Sequence, residues 1–405
     1  MISTGIVVEY NPFHNGHLHH IKEARRKTNA DVIIAVMSGN FLQRGEPAIV
    51  SKWARAQMAL EAGVDLVIEL PYTFAVQQAE MFANGAIALL NALGCENFCF
   101  GSESGDVQSL VKIANMLQNT TTNQRFQTAI RTHIKQGMSY PSSLSAGFKQ
   151  LGIIEDDIDL SLPNNILGFH YILAAQHQQT NMRPITISRK AANYHDQTFT
   201  SETIASATAI RRAIFSSDNI SDIKKVVPAT SFQALINYKQ TYGSFHHWNH
   251  YWPFLQYKLL TTSANDLSEL YEVVEGIEYR LKKYALQAQC FSEFMNLVKT
   301  KRYTWTRIQR MCVHILTNTK KVEMKEHQKR PEYIRLLAMN EQGKQYLRSI
   351  KKQLSIPLIS KFSAKFESVM ELDSRSTQVF AQILDAKARS LLLHREYSEP
   401  PIIQT

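Results

Sequence analysis

The stretch TGIVVEYNPFHNGHLHHIKEARRKT (4–28) decides the fold. Residues 4–10 are a β-branched apolar run that stops at a turn, and residues 18–28 carry helical periodicity. Between them, Asn11-Pro12-Phe13-His14-Asn15-Gly16-His17 places an HxGH set at the carboxyl end of a strand and the start of a helix. In open α/β sheets ligands bind at that edge. A helix N-terminus adds unsatisfied N–H groups and a dipole that favours phosphate. His14 and His17, three apart, can point into one crevice and donate to phosphate oxygens as charge builds at a reacting phosphorus. Gly16 leaves room for a nucleotide to lie against the backbone. Two ordinary capping histidines are the plain alternative.

Working outward, DVIIAVMS (31–38), DLVIELP (65–71), ENFCFGSE (96–103) and PITISRK (184–190) read as further strands. WARAQMALEAG (53–63) and AVQQAEMFANGAIALLNALG (75–94) read as helices, and residues 106–180 are mostly helical. Continuous apolar strands alternating with helices predict a doubly wound parallel sheet, an α/β fold of Rossmann type. From residue 205 the pattern changes. Segments 205–217, 221–240, 250–260, 265–300, 303–318 and 341–353 fit helical periodicity. The expected division is a nucleotide-activating domain over 1–220 and a basic, mainly helical C-terminal domain over 221–405.

The 405 residues are 44% hydrophobic, which excludes a disordered or collagen-like chain. Cys95, Cys99, Cys290 and Cys312 make no CxxC, so neither a disulfide scaffold nor a structural zinc site is expected. The N-terminus has no basic n-region, and no uncharged apolar run approaches the roughly 18 residues of a spanning helix. A soluble, cytoplasmic protein with reduced thiols is expected. Residues 1–200 hold 15 Lys and Arg against 16 Asp and Glu, and residues 201–405 hold 30 against 19. The whole basic excess lies in the second half, which suggests a polyanionic partner, nucleic acid first among them. A helical domain with lysine-rich faces is the plainer reading. No GxxxxGK[ST] occurs, so this is not a P-loop enzyme.

Far downstream, Ser206-Ala207-Thr208-Ala209-Ile210-Arg211 matches an (S/T)xTxIR pattern. Ser206 can cap a helix, and its hydroxyl, that of Thr208 and the Arg211 guanidinium can hold phosphates. HxGH and this element, in that order, resemble the HxGH nucleotidyltransferase superfamily. A closer resemblance covers nearly the whole chain. GIVVEYNPFHNGHLHHI, SGNFLQRGEPAIVSKWARA, DLVIELP, FGSE, NNILGFHY, RKAANYHD and SATAIRRAI together are similar to the bacterial tRNA(Met) cytidine acetate ligase family. The resemblance implies that ATP, with Mg²⁺, activates acetate as acetyl-adenylate. The acetyl group then passes to N4 of the wobble cytidine of elongator tRNA(Met). It implies an ATP wall of Val7, Val8, Glu9, Tyr10, Asn11, Pro12, Phe13, His14, Asn15, Gly16, His17, Leu18, His19 and His20. Further ATP contacts would be Gly101, Arg189 and one of Asn164 and Asn165, with Asn164 preferred. His14, His17 and Arg211 would stabilise the first transition state. The residues themselves name no base for the second.

Other candidates are weaker. Gln43-Arg44-Gly45-Glu46-Pro47, followed by Lys52 and Arg55, either covers the acyl site, receives the cytidine, or is a plain turn. His19 and His20 read as solvated helix residues. The acidic run Glu155, Asp156, Asp157 and Asp159 reads as a loop, and no metal site is expected there. His195 and Asp196 read as a structural pair. Lys299, Lys301, Arg302, Arg307 and Arg310 form the best basic cluster for tRNA phosphates, and the aromatics among them are expected in the core. Two rival functions remain: a nucleotidyltransferase acting on a phosphorylated metabolite, and a non-catalytic RNA-binding factor with a vestigial nucleotide site.

Overall fold

Five of the expected segments form parallel strands: β1 (Ser3–Val8), β2 (Val32–Ser38), β3 (Leu66–Leu70), β4 (Asn97–Ser102) and β5 (Arg183–Ser188). The computed structural model describes residues 1–138, 140–152, 159–188, 205–216, 220–362 and 364–404. The strands stand in the order β5-β4-β1-β2-β3. β1 lies at the centre, parallel to β2 and β4. The chain leaves it to one side through β2 and β3, then returns past it to β4 and β5. That reversal makes a switch point between β1 and β4, and a crevice opens beyond their carboxyl ends.

The strands are continuously apolar because both faces are covered. In β2, Ile33, Ala35 and Met37 face a core that includes Ile21 and Ala24 of α1 (Asn15–Thr28) and Ala56 and Ala59 of α2 (Lys52–Glu61). The alternate residues Val32, Ile34 and Val36 face Phe82, Ala86 and Leu90 of the helix Ala79–Ala92. The period of two is that of a strand.

The C-terminal half is mainly helical, as expected, but it also supplies three strands. β6 (Ile334–Asn340) runs antiparallel to β3, with β7 (Leu358–Ile359) and β8 (Ile402–Gln404) beside it. Periodicity does not reveal β6, because a short apolar run such as IRLLAMN reads equally as buried helix. The boundary near residue 220 therefore does not divide the sheet. Nor does it divide the core: Leu255, Ile308 and Leu392 belong to the same apolar cluster as Ile6 and Ile21. The expected helical segment 265–300 is three helices, Ala264–Ser268, Ile277–Ala285 and Phe291–Val298. It breaks where Glu272, Glu275 and Gly276 adopt positive φ. No helix among the described residues is long and apolar enough to cross a membrane.

An ionic cluster is sealed beneath the sheet's end. Lys52 is fully buried, and its Nζ donates to both oxygens of Glu69 at 2.8 Å and to Glu396 at 2.9 Å. The Trp53 indole N–H donates to the second oxygen of Glu396 at 3.1 Å. Arg335 of β6, also fully buried, reaches the Glu396 carbonyl at 3.2 Å. Lys52 and Glu69 come from the N-terminal half, Glu396 and Arg335 from the C-terminal half.

Candidate active site

Past β1 the chain turns sharply. Tyr10 adopts the left-handed φ of 53° that such a turn requires, and its ring is buried. His14 then caps α1: its Nδ1 accepts the Gly16 N–H at 3.0 Å, while its own N–H donates to Nδ1 of His17 at 3.2 Å. The two rings stack, with centroids 3.7 Å apart. With both Nδ1 atoms acting as acceptors, each neutral imidazole carries its proton on Nε2. A neutral Nε2–H is a hydrogen-bond donor to a phosphate oxygen. Gly16 serves this geometry directly, because a Cβ there would stand 2.9 Å from Cε1 of His14. The absent side chain makes room for the histidine ring.

The second element lies across from the first. Ser206 Oγ accepts the Ala209 N–H at 3.1 Å, so Ser206 caps the helix Ala207–Ser216 as expected. Arg211 donates to the Asn11 carbonyl at 2.9 Å and pairs with Glu46 at 2.9 Å. It ties the turn after β1 to the 41–47 loop. A third wall comes from β4 and the helix Pro163–His177. The Glu103 carboxylate caps that helix by accepting the N–H groups of Asn164 and Asn165 at 3.2 and 2.9 Å. Asn165 is buried and spends its Oδ1 on the Ser102 hydroxyl and the Glu103 N–H.

These walls enclose a crevice of about 280 Å³. Val7, Val8, Glu9, Tyr10, Asn11, His14, Gly16, His17, His19 and His20 line it, with Gly101, Asn164, Ser206, Thr208 and Arg211. Of the two asparagines, Asn164 is the one on the crevice. Four expected wall residues are not on it. Pro12 and Phe13 are buried, and Phe13 belongs to the core. Leu18 packs against that core. Asn15 turns to the Lys225 carbonyl at 3.0 Å. Arg189, His195 and Asp196 lie outside the described residues, as do Glu155, Asp156 and Asp157. Leu167 and Tyr171, which belong to the NNILGFHY block, and Ser188 of β5 also line the crevice, although no site role was expected of them.

The 41–47 loop is a tight hairpin, closed by the bridge between Phe41 and Pro47. Leu42, Gln43, Arg44 and Glu46 face the crevice, so the loop is part of the site. Gly45 adopts φ 76°, and a Cβ on it would lie 2.5 Å from the backbone of Gln309 and Arg310. Its carbonyl accepts the Trp248 indole N–H at 3.0 Å. Lys52 and Arg55, which follow the loop, do not reach the crevice; both are fully buried. Arg55 instead binds backbone carbonyls, those of Glu9 at 2.6 Å, Ser38 at 3.1 Å and Gly39. Burial pushes its pKa down to about 10.

The basic cluster is partly as expected. Lys299, Lys301 and Arg302 are exposed, although Arg302 pairs with Glu275 at 2.8 Å. Arg307 lies over the Tyr303 ring at 4.8 Å, and Tyr303 itself is buried. Arg310 is a correction. It is buried against the hairpin and donates to Glu272 at 2.9 Å, so it is not on the surface that a phosphate could approach.

A strand-turn-helix carrying HxGH, a capped SATAIR helix and a crevice at the switch point define a nucleotidyltransferase. The model of the HIGH Nucleotidyl Transferase family matches residues 1–394. More narrowly, the chain belongs to the tRNA(Met) cytidine acetate ligase family. It is 47% identical over 406 residues to the tRNA(Met) cytidine acetate ligase of Anoxybacillus flavithermus, covering 99% of this chain and 100% of that one. The Bacillus subtilis protein of the same name is 43% identical, with 99% and 97% covered. The crystal structure of apo Thermotoga maritima TmcAL superposes with a TM-score of 0.92 at 32% identity, covering 100% of this chain and 99% of that one. TmcAL bound with alpha-thio ATP superposes with a TM-score of 0.89, at the same identity and coverage.

Proposed function

We propose that this chain is an ATP-dependent ligase that joins acetate to the wobble cytidine of elongator tRNA(Met). Acetate attacks the α-phosphate, diphosphate leaves, and the acetyl group of acetyl-adenylate passes to N4 of the cytidine with release of AMP. The observation that carries this reading is the pair of capped helix N-termini, at His14 and Ser206, meeting at one crevice in a chain that matches its ligase relatives end to end. In this reading His14, His17 and Arg211 stabilise charge at the α-phosphate. Ser206 and Thr208 hold the outer phosphates, and Gly101 and Asn164 face the nucleoside. Arg189 keeps the ATP contact that the family resemblance implies. Among the described residues no three His, Cys, Asp or Glu side chains converge to hold a metal. We assign Mg²⁺ to the triphosphate of ATP, with which it arrives. ATP and tRNA as substrates support a cytoplasmic location for the work.

The fate of AMP separates this ligase from a metabolite nucleotidyltransferase. An acyl-adenylate is a mixed anhydride, and a positioned amine displaces AMP from it. With carbon-labelled acetate and ATP labelled at the α-phosphate, carbon label is expected in tRNA at a cytidine and phosphorus label in free AMP. Phosphorus label in a stable metabolite or in the RNA excludes the mechanism. An anticodon loop presents its base without duplex opening, which suits a crevice of this size.

We assign the edge formed by the exposed Lys299, Lys301 and Arg302 and the half-buried Arg307 to tRNA phosphates. Changing Lys301, Arg302 and Arg307 together to glutamine is expected to weaken tRNA binding and flatten its salt dependence, by a slope of up to about one per lost phosphate contact. Filter-binding titrations across a salt series check this. An unchanged slope removes the edge from the interface.

A further inference from the structure

The transfer step needs a proton acceptor, because an amine that becomes an amide must lose a hydrogen. Glu9 stands just past the end of β1, between the two sides of the crevice. On one side are Gly101, Asn164 and Tyr171; on the other is the 41–47 hairpin. Glu9 is surrounded by protein except on its crevice face. Its Oε1 accepts the Gln43 N–H at 2.7 Å, which draws the carboxylate to the hairpin side. Its backbone carbonyl is held by Arg55 at 2.6 Å. Among the described residues, the hydrogen bond that this carboxylate accepts falls on Oε1. The phosphate elements are the N-termini of α1 and the SATAIR helix, and the hairpin is a wall of the crevice that carries no helix N-terminus.

Three other groups on the crevice are committed elsewhere. The Glu46 carboxylate pairs with Arg211 at 2.9 Å. His14 and His17 each spend Nδ1 on capping α1.

We propose that Glu9 is the general base of acetyl transfer, with Oε2 accepting a proton from the N4 amine of the cytidine. This rests on the ligase reading above. N4 bonds to the acetyl carbon while the bond from that carbon to the phosphate oxygen breaks. AMP departs with the electron pair, one amine hydrogen moves to Glu9, and Glu9 returns it to water. Burial lifts the Glu9 carboxyl above the ordinary carboxylate range. The Gln43 N–H, Arg44 and Arg55 pull it back, and Glu46 pushes it up. Tyr171 faces it from the helix Pro163–His177. A carboxylate raised in this way is a stronger base than a solvated one.

The test begins from synthetic acetyl-adenylate, which bypasses the ATP step. Transfer to tRNA(Met) is followed in single turnover for the full chain, for Glu9→Gln and for Glu9→Asp. Glutamine keeps an acceptor for the Gln43 N–H and loses only the base. Glu9→Gln is expected to transfer about a hundredfold more slowly, the lower end of what a general base contributes. The rate of the natural chain is expected to rise with pH as Glu9 deprotonates, around a midpoint above the usual carboxylate range. Glu9→Gln should lose that rise, and Glu9→Asp should restore it with part of the rate. A Glu9→Gln rate within about threefold of natural, or one with an unchanged pH profile, overturns the base. So does a Glu9→Asp variant as slow and as flat as Glu9→Gln. A natural chain that cannot pass acetyl from acetyl-adenylate to tRNA overturns the ligase reading and the base with it.

Discussion

With alanine at both His14 and His17, acetate-dependent diphosphate release from ATP is expected to slow by about 10⁴-fold. One lost transition-state donor costs roughly 10²–10³ in rate, and neighbouring donors lost together fall short of the product. The rings face the crevice 3.7 Å apart, with both Nδ1 atoms already used as acceptors. Their Nε2–H groups are therefore donors whose direction is set before substrate arrives, so no reorganisation is needed at the moment of reaction. The same change also strips the cap from α1. A lost N-cap costs about 1 kcal/mol. That is small against the rate effect, and α1 keeps Ile21 and Ala24 in the core. A small drop in melting temperature beside a collapse in diphosphate release is the expected pair of results. Release within about tenfold of natural would sink the phosphate assignment.

Lys52→Met is expected to remove about 3–5 kcal/mol of folding stability at pH 8, the range found when one partner of a buried ion pair is deleted. Among the described residues, Lys52 is the one cation paired with both Glu69 and Glu396, and all three side chains are sealed from water. Burial works to lower the Lys52 pKa, but Glu396 and Glu69 more than offset it, so the net direction is upward. Glu69 is pushed up to about 7 by burial, with Asp373 and Glu396 adding to the effect. Without the lysine, which pulls it down, the Glu69 carboxyl rises further. A carboxyl whose folded pKa lies above its unfolded one stabilises at low pH and loses that contribution as pH rises through the folded value. The penalty of Lys52→Met should therefore be largest at pH 8 and shrink toward pH 5. Urea unfolding at the two pH values checks both statements, and a loss below about 1 kcal/mol at pH 8 would falsify the first.

The parts of the site that the sequence displays are those governed by local chemistry. His14-Asn15-Gly16-His17 and Ser206 declare themselves because a cap and the helix it starts are neighbours in the chain. The five parallel strands are legible because burial on both faces forces continuous apolar runs. The hairpin is legible only as a turn. What makes Gly45 necessary is the backbone of Gln309 and Arg310, which no local pattern reveals. Arg310 reads as a surface cation because Glu272, its partner, lies far away in sequence. Lys52 and Arg55 fail for the same reason. Their counter-groups are Glu69, Glu396 and backbone carbonyls that only the folded chain assembles. β6 is hidden twice, by its shortness and by the distance to β3.

That distance has a consequence for biosynthesis. β3 ends at Leu70, and β6, which covers its edge, begins at Ile334. At 5–20 residues per second, a ribosome leaves that edge bare for roughly 13–50 s. During this interval the nascent chain carries an apolar strand with an unpaired row of N–H and C=O groups, the arrangement most prone to pairing with a neighbour. Lys52 and Glu69 wait over the same interval for Glu396 and Arg335. The crevice is encoded within residues 7–211, but its hairpin packs on Gln309 and Arg310, so its last support leaves the ribosome about a hundred residues after its lining is complete.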